Sequence, residues 1–292
     1  MNYGICMRQQ CKNCKRINKC FKEGDFDYEY TKSKNRNTKD SKLQSKKGFK
    51  RKRSRIPKNK KIEYTFKNEN IGVAAALNIG AKKAIKDGFK YLLTLDQDTT
   101  FKPKVMDMLK DAINKFNMDE VGIITPWHNT KIKLNEIDDE YDYPPEVITS
   151  GNIINLDIWK KIGGFKEWLF IDGIDIEYCL NLRKHGYKII RVVHARIDHE
   201  LGDIEFKKFR GKTYICNNYP PVRRYYIMRN NHYIKDMYLD FEPSTCWRIL
   251  EQKPSMISIV LFEKNKFRKL RGYYRGLRDY KKGIKGKYPY KN

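Results

Sequence analysis

Residues 91–98 read Tyr91-Leu92-Leu93-Thr94-Leu95-Asp96-Gln97-Asp98, an apolar run that ends in two carboxylates. A run of this length predicts a buried strand of a parallel sheet. Ligands of open α/β sheets bind beyond the carboxyl ends of the strands. Asp-x-Asp alone would fit a solvated loop, but its place after a buried strand favours a site in which Asp96 and Asp98 hold a divalent cation, Mg²⁺ or Mn²⁺.

Helices and strands alternate on both sides of this run. Apolar residues at helical spacing predict helices at residues 71–87, 103–116 and 175–185, and apolar runs predict strands at residues 121–125 and 188–193. Such alternation predicts an α/β fold with a mostly parallel, doubly wound sheet flanked by helices.

Charge divides the chain into regions. The net charge is +27, and residues 1–61 hold 21 Lys and Arg against 5 Asp and Glu. This segment is predicted to be a basic, flexible N-terminal arm, because it cannot bury enough apolar surface to offset its ordering entropy. Residues 62–240 are predicted to form the main domain, and residues 241–292 a basic helical extension. A basic chain suits partners that carry phosphate.

Four cysteines, Cys6, Cys11, Cys14 and Cys20, crowd the predicted arm. Thiolates at this density bind Zn²⁺ in other proteins, and the first two spacings also occur in one iron–sulfur pattern. Neither pattern is complete, so a metal site and free thiols both stay open. With no signal peptide or membrane-spanning run in view, the cysteines are read as reduced thiols of a cytoplasmic protein.

A second group of carboxylates, Asp172, Asp175 and Glu177, lies at the predicted start of the helix at residues 175–185. The helix dipole favours acidic residues there, which is a purely structural explanation. A carboxylate among apolar neighbours also suits a general base that takes a proton from an acceptor hydroxyl. The spacing alone leaves both interpretations open.

His199 follows a strand-like segment. A lone histidine is usually structural, but His199 becomes a third metal ligand if the fold returns it beside Asp98.

These residues form an ordered series of motifs that resembles the family-2 glycosyltransferases of the GT-A fold, over about residues 62–240. Arg224-Tyr225-Tyr226-x-x-Arg229-Asn230 makes the series similar to the rhamnosyltransferase branch. The other motifs are Asn70-x-Gly72, Ala76-Leu77-Asn78-x-Gly80, Leu95-Asp96-Gln97-Asp98, Ser150-Gly151-Asn152, Gly163-Gly164-Phe165, Phe170-Ile171-Asp172-x-x-Asp175-x-Glu177-Tyr178 and His199-x-Leu201-Gly202-Asp203.

The resemblance implies an inverting, metal-assisted transfer of a sugar, L-rhamnose from dTDP-L-rhamnose, to a cell-surface polysaccharide or a lipid-linked glycan. It implies that Asp175 is the catalytic base and that Asp96, Asp98 and His199 surround the metal. The residues implied to bind or border the substrates are Asn70, Gly72, Asn78, Asp96, Ser150, Gly151, Asp172 and Glu177.

The N-terminus departs from the family, whose members begin with a strand that carries the first nucleotide contacts. Residues 1–61 have the wrong composition for such a strand, so an atypical or truncated N-terminal region is expected. A sheet without its first strand has an unpaired edge.

Two alternatives to an active enzyme are a degenerate, inactive glycosyltransferase and a nucleic-acid-binding protein that uses the basic arm. No recognised nucleic-acid motif occurs, so nucleic acid is not the expected partner.

The basic segment Lys264–Lys287 carries aromatic and apolar residues at helical spacing. It either lies on an anionic membrane, as a peripheral contact on the inner face of the cell membrane, or packs on the catalytic domain. The residues concerned are Phe267, Leu270, Tyr273, Tyr274, Leu277 and Tyr280.

Overall fold

A computed structural model describes residues 3–8, 65, 69–96, 99–101, 104–130, 138–198, 204–251 and 253–290, apart from the side chains of residues 3–8, 100, 253 and 254. Residues 1–9 and 69–292 make up one folded unit, which holds every contact reported below. Residues 10–68 make up a second unit, of which only Thr65 is described.

A seven-stranded sheet of order β1–β2–β6–β4–β7–β3 forms the centre, and β5 also pairs with β7. Neighbours β1–β2 and β4–β7 are parallel, whereas β6 runs antiparallel between β2 and β4. The α/β class is therefore confirmed, but the sheet is mixed because β6 reverses the direction at its centre. The strands are β1 (Tyr3–Arg8), β2 (Tyr91–Asp96), β3 (Thr100–Phe101), β4 (Val121–Asn129), β5 (Tyr141–Asp142), β6 (Ile153–Asn155) and β7 (Lys188–Asp198).

Helices cover both faces of the sheet, because successive residues of a strand point to opposite sides. Leu92 packs in a core with α1, α3 and α4, and Leu93 packs in a second core with α2. Both cores hold the carboxyl end of β2 in a fixed place. These helices are α1 (Val73–Lys86), α2 (Val105–Lys115), α3 (Leu156–Lys161) and α4 (Ile174–Lys184).

The first strand corrects the expectation that residues 1–61 lack one. Residues 3–8 pair in parallel with β2, from Tyr3 opposite Tyr91 to Arg8 opposite Asp96. The edge of β2 that was expected to be open is thus covered. The strand was missed because its six residues are diluted by the basic composition around them. Cys6 lies in this strand, whereas Cys11, Cys14 and Cys20 lie outside the described residues.

The described residues after β7 form a hairpin and four helices, which belong to the same folded unit. No helix in the described ranges is long and apolar enough to cross a membrane. The boundaries at residues 61 and 240 stay predictions. The elements are β8 (Glu205–Phe209), β9 (Lys212–Cys216), α5 (Pro221–Tyr238), α6 (Pro243–Leu250), α7 (Lys253–Leu261) and α8 (Lys266–Lys281).

Candidate active site

The segment Thr149–Gly151 links the carboxyl end of β2 to the start of α4. The Asp96 N–H donates to Ser150 Oγ at 2.9 Å, and the Thr149 hydroxyl donates to Asp175 Oδ1. Thr149 and Ser150 are neighbours, with Cα atoms about 3.8 Å apart. The fold therefore brings Asp96 and Asp175, 79 positions apart in the sequence, to adjacent residues of one short segment.

This segment is held tightly against the sheet. Gly151 N–H donates to the Thr94 carbonyl at 2.6 Å, and the Thr94 hydroxyl donates to the Thr149 carbonyl at 2.5 Å. Gly151 has a φ of 83°, and a Cβ added there would stand 2.7 Å from Ile197 Cδ1. Glycine is required at this position by both its backbone conformation and its close approach to β7. The segment Thr149–Gly151 is therefore held in a fixed position next to Asp96 and Asp175.

A small cavity of about 10 Å³ lies behind the Asp175 carboxylate. Its wall includes Asn152 and Tyr178, whose Oδ1 and hydroxyl have no hydrogen-bond partner within the described part of the chain. Burial raises the pKa of Tyr178 well above its ordinary value, so the hydroxyl keeps its proton. Asp175 therefore backs onto an enclosed, mostly apolar cavity that contains these two polar atoms, and its own side chain is partly exposed to solvent.

Asp172 is paired with a cation from α5. Arg223 Nε donates to Asp172 Oδ1 at 2.7 Å, and the guanidinium lies 4.1 Å from the ring centre of Tyr219. Burial works to lower the pKa of Arg223, but the Asp172 carboxylate together with Tyr219 and Asp175 outweighs it and the pKa is raised. Sequence reasoning missed Arg223 and Tyr219, because only the fold brings the start of α5 to this loop.

The loop that carries Asp172 is held from behind by two buried side chains of α5. Asn230 Nδ2 donates to the carbonyls of Leu169, Ile171 and Asp172 at 2.9, 2.8 and 2.8 Å. Arg229 donates to the Leu169 carbonyl at 3.3 Å and to the Gly286 carbonyl at 2.6 Å. Asp172 has a φ of 63°, a left-handed conformation that a non-glycine residue rarely adopts. Asn230 and Arg229 stood in the motif series, but no site role was assigned to them.

Glu177 is fully buried beneath the site, one helical turn from Gly173. The Tyr238 hydroxyl donates to Glu177 Oε1 at 2.7 Å, and Oε2 has no hydrogen-bond partner among the described residues. Burial raises the pKa of Glu177 to about 7, although the Tyr238 hydrogen bond works in the opposite direction. This placement suits a role in supporting α4, not direct contact with an acceptor.

The three residues near α1 that were predicted to border the substrates differ in exposure and in the groups that they contact. Asn70 is exposed and its Oδ1 accepts the Gly72 N–H at 3.0 Å, so α1 starts at Val73, two residues later than predicted. Gly72 is buried against Phe170. Asn78 is buried, and its amide donates to the Phe165 carbonyl at 2.8 Å and accepts the Phe165 N–H at 3.0 Å. Asn78 therefore joins α1 to the loop before the short 3-10 helix at residues 167–169.

Two predicted metal ligands, Asp98 and His199, lie outside the described residues, whereas Asp96 is half-buried at the end of β2. Thr100 of β3 pairs with Asp198 of β7. Thr100 comes two positions after Asp98, and Asp198 directly precedes His199, so the strands next to both residues are neighbours. Across the described ranges, no group of three or more His, Cys, Asp or Glu side chains is placed to hold a metal.

The sequence matches a protein-family model and several curated relatives. The model, described as glycosyl transferase family 2, matches residues 30–178, which is just over half of the chain. The dTDP-rhamnosyl transferase RfbF of Shigella flexneri is 26% identical over 189 residues, covering 58% of this chain and 62% of that protein. An uncharacterized protein of Mycobacterium tuberculosis is 24% identical over 145 residues, covering 45% of this chain and 54% of that protein. The matched part thus spans less than two thirds of these relatives.

Solved structures also resemble this chain. One is the crystal structure of GalNAc-T7 with UDP, GalNAc and Mn²⁺, at a TM-score of 0.42 and 14% identity, covering 75% of this chain and 44% of that one. Another is Staphylococcus aureus TarS 1–349 in complex with UDP-GlcNAc, at a TM-score of 0.42 and 15% identity, covering 75% of this chain and 64% of that one.

Proposed function

The chain belongs to glycosyl transferase family 2 and has an α/β fold of the GT-A type, and from this premise we propose that it transfers a sugar from a nucleotide-activated donor to a hydroxyl acceptor with inversion. One observation carries the proposal: Thr149 and Ser150 join the end of β2 at Asp96 to Asp175 at the start of α4. A donor diphosphate at the strand end and an acceptor hydroxyl at the helix start would then meet over this segment.

The proposed reaction exchanges one bond to the anomeric carbon for another. The acceptor oxygen bonds to that carbon, and the bond from the carbon to the diphosphate breaks with its electron pair leaving on the diphosphate. Asp175 takes the hydroxyl proton as general base. Thr149 orients the carboxylate by donating to Oδ1, so we assign proton uptake to Oδ2. Arg223 and Asn230 fix the Asp172 loop beside it.

We propose that Asp96, Asp98 and His199 hold Mg²⁺ or Mn²⁺. Carboxylate oxygens suit both ions, and the neutral imidazole of histidine is a common metal ligand in proteins. The pairing of Thr100 with Asp198 supports this set, because it brings together the strands that flank Asp98 and His199. A bound cation would supply Lewis-acid stabilisation of the negative charge on the leaving diphosphate.

For the donor we propose dTDP-L-rhamnose, on the strength of the likeness to a dTDP-rhamnosyl transferase. The acceptor in this proposal is a growing cell-surface polysaccharide or a lipid-linked glycan. Both substrates would be met on the cytoplasmic side, with the protein peripheral to the inner face of the membrane.

Nucleotide release by the purified chain tests the proposal. With a panel of sugar nucleotides and Mn²⁺ or Mg²⁺, release is expected with dTDP-L-rhamnose and is expected to stop when a chelator removes the cation. Asp175→Asn cannot accept the proton, and turnover is expected to fall about 100- to 10,000-fold. The unfolding midpoint of this variant is expected to stay near that of the wild type, because Asp175 is partly exposed and the Asn Oδ1 can still accept the Thr149 hydroxyl.

Asp157→Asn is the matched control, since Asp157 also lies in the first turn of a helix but is exposed on α3. It is expected to turn over at the wild-type rate. Full turnover by Asp175→Asn would remove Asp175 from the role of base. Donor-dependent thermal stabilisation of the wild type without any turnover would support the inactive alternative.

A further inference from the structure

Helix α8 is fixed to α5 along one face. Gly272 and Gly276 lie so close to α5 that an added Cβ would stand 2.4 Å from the Pro221 carbonyl oxygen and 2.5 Å from that of Tyr225. Asp279, the one acidic residue in the helix, is buried on this face and accepts the Tyr225 hydroxyl at 2.9 Å. The packing interpretation of the basic C-terminal segment therefore holds for the inner face of α8.

The opposite face of α8 is basic and aromatic. We call Phe267, Arg271, Tyr274, Arg278 and Lys281 the outer face, because their spacing of three or four residues puts them on one side of a helix. Phe267 is 88% exposed and Tyr274 is 67% exposed. No acidic residue shares this face, and its flanks add Lys266, Arg268 and Lys282, all exposed.

The basic side chains on the inner and outer sides of α8 differ in whether an acidic side chain pairs with them. The buried Lys269 lies 2.6 Å from Glu263 Oε2, so its charge is paired inside the protein. Arg278 contacts Asp279 at 3.3 Å but keeps 37% of its side chain exposed. Arg271 and Lys281 are exposed. The outer face thus presents positive charge around two projecting rings.

We propose that the outer face of α8 is a docking surface for an anionic lipid bilayer. Basic side chains interact with anionic headgroups, and aromatic rings settle at the boundary between headgroups and acyl chains. Arg271 lies between Phe267 and Tyr274 in helical spacing and Lys281 follows two turns after Tyr274 on the same side, so the charges and the rings face the same interface. Because α8 is bound to α5, the whole folded unit would be held at the membrane. This surface is independent of the sugar-transfer reaction.

A lipid surface fits this face better than a nucleic acid does. Proteins that bind single strands combine aromatic residues with a positively charged groove that follows the backbone. The outer face is the convex side of a helix, and Phe267 projects from it without a polar group. A lipid bilayer is charged at its surface and apolar beneath, so it can contact both the basic side chains and the exposed aromatic rings of the outer face.

Sedimentation with vesicles tests the proposal on the full chain. Vesicles of phosphatidylcholine with about a quarter of phosphatidylglycerol are expected to bind the wild type, and neutral vesicles much less. Arg271→Glu/Lys281→Glu is expected to lower the partition at least about 25-fold, since each basic residue near an anionic surface contributes about fivefold. Phe267→Ser/Tyr274→Ser is expected to lower the remaining partition severalfold in about 0.5 M salt, where charge interactions are screened.

Matched controls keep the same charge or ring change away from the outer face. Lys82→Glu/Lys86→Glu changes two exposed lysines of α1, and Tyr143→Ser removes a ring that is 62% exposed. Both are expected to partition like the wild type, with unchanged nucleotide release in all variants. Equal partition of outer-face and control variants would overturn the proposal. So would an outer-face charge variant that loses binding to RNA or duplex DNA while its vesicle partition is unchanged.

Discussion

Glu177 is a carboxylic acid whose environment differs strongly between the folded and unfolded chain. Its side chain is fully buried, and burial raises its pKa from 4.5 to about 7. Between these two values the unfolded chain has lost the proton that the folded chain still holds. The free energy of unfolding therefore falls as pH rises through this window, and the full penalty of about 3 kcal/mol applies above pH 7.

Glu177→Gln removes this titration. The difference in unfolding free energy between the variant and the wild type is expected to shift in favour of the variant by about 2.5 kcal/mol from about pH 5 to about pH 8. Denaturant unfolding at both pH values measures it. Parallel pH profiles of the two proteins would show that Glu177 is not a neutral, buried acid near pH 5.

Tyr238→Phe provides the complementary change. The Tyr238 hydroxyl donates to Glu177 and lowers its pKa, so its removal is expected to extend the falling part of the stability profile to higher pH. A change confined to overall stability, with no shift of the window, would mean that the hydroxyl does not control this titration.

At the scale of elements, the loop of residues 169–172 depends on α5. Asn230→Ala leaves three loop carbonyls without their amide donor, and each unsatisfied buried group costs about 1–3 kcal/mol. The Leu169 carbonyl keeps a hydrogen bond from Arg229, which limits the total, so we expect about 2–4 kcal/mol of lost stability. The acceptor KM is also expected to rise, because Asp172 and its left-handed backbone are no longer held. Unfolding and acceptor-dependent kinetics at low temperature measure the two effects.

Asn231→Ala is the matched control, since Asn231 is also buried on α5 but donates to the Ile249 carbonyl of α6 at 2.6 Å. It is expected to lose stability without a change in acceptor KM. If both variants raise KM alike, Asn230 acts only through the stability of α5 and not by positioning the loop.

Local patterns predicted α4 and β2 well but placed the ends of β4 and β7 four and five residues too early, and distant pairing decided what they missed. Helix α4 and strand β2 lie within one residue of their predicted bounds at every end, because their apolar periodicity is their own. The place of β6 between β2 and β4 follows from pairing, which a strand of three residues does not encode locally. The partners of Asn230 lie about 60 positions away, so its role was equally invisible.

At the scale of the whole molecule, β1 determines whether the sheet is complete at the edge next to the site. Arg8 at the end of β1 is in register with Asp96 at the end of β2. Parallel neighbours lie about 4.8 Å apart, so the first strand reaches the same edge of the sheet as the proposed donor site. The proposed enzyme therefore needs this pairing. The alternative of an inactive glycosyltransferase was based on the expectation that the first strand is missing.

A disulfide cross-link tests that pairing directly. Tyr3 is the register partner of Tyr91, so Tyr3→Cys/Tyr91→Cys is expected to form a disulfide on mild oxidation, because paired Cα atoms lie within the range that disulfides bridge. Gly4→Cys/Tyr91→Cys moves one thiol by a single residue, to the opposite face of the sheet, and is expected to stay reduced. Mass spectrometry of the oxidised peptides distinguishes the two. Cross-linking of the second pair in place of the first would mean that the register is shifted by one residue. Cross-linking of neither pair would mean that residues 3–8 do not pair with β2.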